Sequence, residues 1–384
     1  MIDESLLDAP DGLARVDLRG LLRSVAASGA QVRTAARGAA ESGIAELRPE
    51  GRPGTVLVAG PGPEVPLAAD LLDGLTGGAV RVTRIVPEGP LADPGALRWP
   101  LPRWAGPLDL LLLTSTEGGE AGLTDLLERA YRRGCSVVSV APAGTPLAES
   151  SARRNCLTVP LTRVPHEQLP EHPAAPGPQW ALLTPLLFLG DRLGLWEAGT
   201  DALHALADRL DRVAERCGPA EALLGNPAKT MAIEFTGSLP LLWSEGPLAR
   251  AAARHGAATL TALPGVPALT AELPEALTAH GPLLTGNLAP AGDNDPDDFF
   301  RDRVDETPAL HARVVLLGDP LAENGGPAGR SALPAARHLA EEQGTAVTEL
   351  AATEGATALE AAAEFLAQLD FTAVYLTITQ LPRP

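Results

Sequence analysis

Leu110-Leu111-Leu112-Leu113-Thr114-Ser115-Thr116-Glu117-Gly118-Gly119-Glu120 is the stretch on which the reading of this chain turns. It opens inside an apolar run over residues 108–113, which has the length of a strand. A strand without polar alternation is buried on both faces, as in the centre of a parallel sheet covered by helices. The hydroxyl- and glycine-rich part leads into a helical pattern over residues 123–133, with Gly134 as its stop. Strand, polar turn and helix make one βα unit, and sheets of this kind bind ligands at the carboxyl ends of their strands.

The alternation continues on both sides. Residues 55–59, 80–86, 136–141 and 156–159 read as further strands, with a helix over 64–75. Ahead of them, residues 1–50 read as helical, with Leu18, Leu21, Leu22 and Val25 at helical spacing. A proline-rich linker covers residues 160–178. Helices are expected over 180–195, 201–217 and 227–236, the last with Asn226 as N-cap and Pro227 at its first position. The alternation then restarts. Strands are expected over 239–243, 258–263, 313–317 and 346–350, and helices over 247–255, 332–343 and 356–369. Residues 370–379 fit a final helix or strand. The expected organisation is a helical segment (1–50), an α/β unit (51–178), a helical connector (179–237) and a second α/β unit (238–384).

Composition narrows the function classes. Hydrophobic residues make up 45% of the 384 and aromatics only 3%, so Ala and Leu must build the cores. The net charge of −18 argues against a nucleic-acid or anionic membrane partner, each of which needs a basic footprint. Lys229 is the sole lysine. The acidic start does not fit a signal peptide, and the most apolar stretch, residues 180–190, falls short of a membrane span. Cys135, Cys156 and Cys217 lie far apart, which reads as reduced thiols in a cytoplasmic protein with neither disulfide nor zinc site.

Four segments carry possible chemistry. Gly60-x-Gly62-x-x-Val65 sits between strand and helix, where a dinucleotide loop would lie, but the third glycine is missing and Glu64 would repel a pyrophosphate. A tight strand-to-helix turn explains it as well. Ser115, Thr116, Glu117, Gly118 and Glu120 form a candidate ligand loop, read alternatively as a capping loop; the two glutamates oppose a phosphate. Glu272, Glu275 and His280 could support acid–base work, or the glutamates could simply complement a helix start. Residues 293–298 alternate oxygen ligands like a calcium loop, but lack its glycine and its final glutamate, so a solvated acidic loop is the reading taken. No metal or organic cofactor is expected.

The order of these motifs resembles a known family. A strand ending Ala59-Gly60-Pro61-Gly62-Pro63 is followed by one ending Thr114-Ser115-Thr116-Glu117-Gly118. Asn226-Pro227-Ala228-Lys229, Glu272-Leu273-Pro274-Glu275-Ala276 and Phe300-Arg301-Asp302-Arg303-Val304-Asp305-Glu306 come later. Together they resemble the sugar isomerase (SIS) domain family, in particular the bacterial and archaeal bifunctional phosphoglucose/phosphomannose isomerases of the actinobacterial branch. The resemblance implies two SIS subdomains, each a flavodoxin-like parallel sheet flanked by helices, and a homodimer. It implies cofactor-free aldose–ketose isomerisation of hexose 6-phosphates through an enediol, with a Ser/Thr loop holding the phosphate.

The chain departs from that pattern at its chemical positions. Small residues of the family's first loop fall on Pro63 and Glu64. Ser115 is retained in the phosphate loop, but Glu117 and Glu120 replace a Ser and a Thr. The family's catalytic glutamate falls within residues 260–265, Leu-Thr-Ala-Leu-Pro-Gly, which hold no acid or base. Its histidine falls on Thr278, two residues before His280, and its lysine-bearing C-terminal helix would begin past Leu381. Loss of a general base alone removes about 10²–10⁴-fold in rate. The expectation is a catalytically degenerate SIS-fold protein that binds a sugar-like or sugar-phosphate-like ligand or acts as a regulatory partner. The alternatives are an active isomerase using Glu272, Glu275 or His280, and, less in keeping with the broken glycine fingerprint, a nicotinamide enzyme.

Overall fold

The computed structural model describes residues 2–49, 51–90, 94–161, 176–286, 288, 310–319 and 331–380. The acidic run 293–298, the motif 300–306 and most of the 160–178 linker lie outside them. The chain divides into two compact units, Arg19–Arg212 and Met1–Leu18 with Val213–Pro384.

The first helices are α1 (Glu4–Leu7), α2 (Pro10–Val16), α3 (Leu21–Ala26) and α4 (Ser28–Glu41). In the Arg19–Arg212 unit there follow β1 (Thr55–Ala59), α5 (Glu64–Leu75), β2 (Arg81–Arg84), β3 (Asp109–Thr114), α6 (Ala121–Arg132), β4 (Ser136–Ala141), α7 (Pro146–Arg153), β5 (Leu157–Pro160) and α8 (Gln179–Arg192). Its sheet is all parallel, in the order β2-β1-β3-β4-β5. That is the flavodoxin-like order, and its switch point lies between β1 and β3. Leu110, Leu111, Leu112 and Leu113 are all buried in central β3, as its lack of alternation predicts. One face packs Leu57, Leu111, Leu113 and Val137 against Leu123, Leu126 and Leu127 of α6, an aliphatic core. Each such side chain contributes about 1.5–3 kcal/mol on burial.

Helix α9 (Thr200–Cys217) is followed by α10 (Pro227–Phe235), β6 (Ser238–Glu245), α11 (Pro247–Ala262), β7 (Leu269–Glu272), α12 (Ala276–Ala279), α13 (Gly281–Thr285), β8 (His311–Gly318), α14 (Leu333–Glu342), β9 (Ala346–Leu350) and α15 (Ala358–Thr379). The second sheet is again parallel, in the order β7-β6-β8-β9, so its switch point falls between β6 and β8. The two parallel, helix-flanked sheets are the α/β architecture expected of two SIS subdomains.

Three segments differ from the sequence reading. Residues 258–263 are no strand: Ala258 to Ala262 complete α11, whose Ala251, Ala252, Ala253 and Leu260 are buried. A short apolar run cannot by itself separate strand from buried helix, and its alanines favour helix. β7 was not expected; Glu272 is its last residue, and the helix begins only at Ala276, with Glu275 at the N-cap position. Residues 370–379 continue α15, which is entered through a Thr357/Glu360 capping box and buried along nearly its whole length. Such all-round burial removes the amphipathic stripe that would have marked it as helix.

Candidate functional site

The β1–α5 turn meets the end of β3 at the first switch point. A side chain on Gly60 would collide with the Thr114 carbonyl oxygen, so glycine is required there by close backbone approach. Gly62 follows in the turn, and Glu64, partly buried, is the first residue of α5, where its charge suits the helix dipole.

The loop after β3 is closed on itself. Ser115, 1% exposed, donates its hydroxyl proton to the Glu120 carboxylate, whose two oxygens lie 2.9 and 2.8 Å from Oγ. The same Oγ accepts the backbone N–H groups of Gly118 at 2.6 Å and Glu117 at 3.1 Å. Glu120 stands at the N-cap position of α6, yet its carboxylate turns back to Ser115 rather than bonding the helix N–H groups. Its residue is 7% exposed. Glu117 differs: it is exposed, as is Gly119, while Thr116 is half-buried. The sequence groups Glu117 and Glu120 together as obstacles to a phosphate; the structure separates a solvent-facing acid from an inward one. Two loop N–H groups and a hydroxyl that could serve an incoming anion are already engaged. A phosphate would also meet a carboxylate at close range, which disfavours it.

The second sheet shows the same internal satisfaction at its switch point. After β6, Gly246 (φ +95°) abuts Asp319, which follows β8, and a Cβ there would collide with the aspartate side chain. Asp319 is 1% exposed and its Oδ2 accepts the Leu248 N–H in the first turn of α11 at 3.3 Å. Glu245 at the end of β6 accepts from Ala332 N and Ser331 Oγ, each at 2.6 Å, at the start of α14. Carboxylates of the chain thus hold donors at helix starts where anions bind in α/β sheets. Asp319 and Glu245 were not expected from the sequence. Their signal was available only as acids immediately following apolar strands.

Glu272, Glu275 and His280 are not joined. Glu272 pairs with Arg250 at 3.3 Å. Glu275 is exposed, and among the described residues its carboxylate has no hydrogen-bond partner. His280, half-buried, accepts the Trp243 indole N–H on Nδ1 at 2.9 Å. That bond fixes the neutral Nε2–H tautomer, and burial lowers the His280 pKa from its ordinary value. Residues 260–265 span the end of α11 and the turn beyond, and supply neither acid nor base.

Lys229 is structural. Asn226 caps α10 through Oδ1, accepting from Ala228 N and Lys229 N. The fully buried Lys229 donates Nζ to the carbonyls of Pro219 at 3.0 Å and Glu221 at 2.6 Å, above the Tyr375 ring. Burial holds the amine below its ordinary pKa, against the opposing pull of Asp8 and Glu221. Among the described residues no group of three or more His, Cys, Asp or Glu could hold a metal ion, and no helix is long and apolar enough to cross a membrane.

Comparison with known proteins finds a family model for part of the chain and shared folds for the whole. Residues 224–380 match the family described as the bacterial phospho-glucose isomerase C-terminal SIS domain. Among solved structures, the chain is similar to a candidate phosphosugar isomerase from Silicibacter pomeroyi, with TM-score 0.54 and 16% identity over 93% of this chain and 96% of that one. It is similar to a glucose-6-phosphate isomerase like protein from Thermus thermophilus, with TM-score 0.50 and 20% identity over 97% and 92%. A glucosamine-6-phosphate deaminase from Thermotoga maritima gives TM-score 0.55 and 10% identity over 94% of each chain. No curated protein sequence matches the chain. At these identities the structural likeness is one of fold. Residues 224–380 are thus similar to the bacterial phospho-glucose isomerase C-terminal SIS domain, and the chain as a whole shares the fold of phosphosugar isomerase-like structures.

Proposed function

We propose that this phosphosugar isomerase-like protein has lost isomerase chemistry and acts as a ligand-binding or regulatory SIS protein, as a cytoplasmic homodimer without a cofactor. One observation carries the reading: the buried Glu120 carboxylate sits on Ser115 in the loop where the resemblance puts a phosphate. The empty chemistry of residues 260–265 and the occupied Nδ1 of His280 support it. On this reading Gly60, Gly62, Ser115, Thr116, Gly118 and the exposed Glu117 border the ligand, and a neutral sugar-like molecule suits the loop better than a phosphate ester.

The test is an assay of purified protein for interconversion of glucose 6-phosphate or mannose 6-phosphate with fructose 6-phosphate, run with thermal-shift titrations of the same esters. The expected result is no turnover and no stabilisation. A second reading is an active aldose–ketose isomerase in which Glu275 moves the proton. The exposed Glu275 carboxylate and the neutral His280 in the same short helical segment favour it. Turnover abolished by Glu275→Gln or His280→Ala would establish that reading in place of the first.

A further inference from the structure

At the amino edge of the first sheet, opposite the carboxyl-edge loops, the residues before β3 and β4 form one surface. Trp104 is 56% exposed, Leu108 79% and Tyr131 49%. Hydrogen bonds and packing tie these segments in place. Arg133 donates to the Pro102 carbonyl at 2.6 Å, Gly134 packs beside Pro107, and Gly54 N–H bonds the Leu108 carbonyl at 2.7 Å. Arg154 lies over the Tyr131 ring, 5.8 Å from its centre.

The charge here opposes that of the whole chain. Residues 99–108 contain Arg103 and no acid, and residues 129–134 contain Arg129, Arg132 and Arg133 and no acid, in a protein of net charge −18. Among the described residues no carboxylate pairs with Arg103, Arg132 or Arg133. Of the nearby acids, Asp109 accepts from Gly106 N at 2.8 Å, Glu128 pairs with Arg154, and Asp125 lies two turns before Arg132 on α6. Exposed Trp and Tyr beside Arg are the side chains that carry binding energy at protein interfaces.

We propose that this surface docks an acidic, apolar-bearing segment of another protein. Charge complementarity chooses the occupant. A two-fold contact between copies would set these arginines against each other, which like-charge repulsion disfavours. A nucleic acid would be repelled by the rest of the molecule. The inference stands apart from the proposed loss of isomerase chemistry, since it uses none of the same residues.

The full-length chain is titrated against a labelled amphipathic helical peptide of Glu and Leu, its Lys/Leu counterpart and a single-stranded oligonucleotide, with binding read by fluorescence anisotropy. The Glu/Leu peptide is expected to bind, less tightly as salt rises, and about tenfold or more weaker to Trp104→Ser and to Arg132→Glu. Both positions are exposed, and circular dichroism verifies that the variants fold. The proposal is overturned if the Glu/Leu peptide does not bind, if the Lys/Leu peptide or the oligonucleotide binds as well, or if neither substitution weakens binding. It is equally overturned if sedimentation shows a dimer that Trp104→Ser dissolves.

Discussion

Glu120→Ala removes a carboxylate but leaves the loop that receives it. Ser115 Oγ keeps the N–H groups of Glu117 and Gly118 as donors, while its own proton loses its acceptor. At 1% exposure that hydroxyl cannot turn to bulk water. Leaving one buried donor unpaired costs about 1–3 kcal/mol, so a loss near 2 kcal/mol is expected. For a unit of this size that lowers the melting temperature by roughly 4–8 °C. Glu120→Gln retains a carbonyl acceptor and should lose about half as much. The diagnostic measurement adds inorganic phosphate. Wild type should be indifferent, because its own carboxylate holds Ser115. In Glu120→Ala the loop's hydroxyl and α6's positive end are open to an anion, so phosphate should restore much of the lost stability by binding only the folded state. Calorimetric scans of the three proteins with and without phosphate decide the matter. Phosphate stabilising wild type as strongly as Glu120→Ala, or an alanine variant as stable as wild type, would refute the view of Glu120 as a resident anion.

Lys229→Met should cost about 2–4 kcal/mol in urea unfolding, because it strips the Pro219 and Glu221 carbonyls of their donor in a buried site. His280 gives a pH signature. Its folded pKa lies below 6.5, so the folded state binds fewer protons than the unfolded one, and stability should rise as pH climbs through the folded value towards 6.5. His280→Gln should flatten that part of the urea-midpoint profile; an unchanged slope would count against burial of the imidazole as its source. Burial pushes the Cys217 thiol up to about 11, so a thiol-specific reagent near neutral pH should modify it only as the protein unfolds.

Strands with an undiluted apolar run were legible from composition alone, and so was the cap of α10. β4 occupies the expected span and Asn226 makes the expected bonds, because both depend on neighbours in sequence. The errors fell where tertiary burial overrode periodicity. Residues 258–262 close α11, where Thr259 and Leu260 are buried, and so short a run reads the same in a strand. β7 escaped notice because its residues are half-exposed or exposed at a sheet edge. At the site, the type and order of the loop residues were readable, but the direction of two glutamates three residues apart was not. Only the fold around Ser115 sends Glu120 inward and leaves Glu117 in solvent.

The assignment of Met1–Leu18 to the unit that otherwise begins at Val213 bears on how the chain is made. Asp3 N–H bonds the Thr379 carbonyl at 3.0 Å, and Ile2 bridges Gln380. The unit Arg19–Arg212 is uninterrupted and can complete itself on the ribosome as soon as it has emerged, in keeping with vectorial folding by domains. Residues 1–18 are made before that unit, yet the residues they bond are made after it. Helices α1 and α2 must wait until residues well beyond Arg212 have been made, so a nascent chain stalled after residue 212 should protect the inner unit from protease while leaving residues 1–18 open to cleavage.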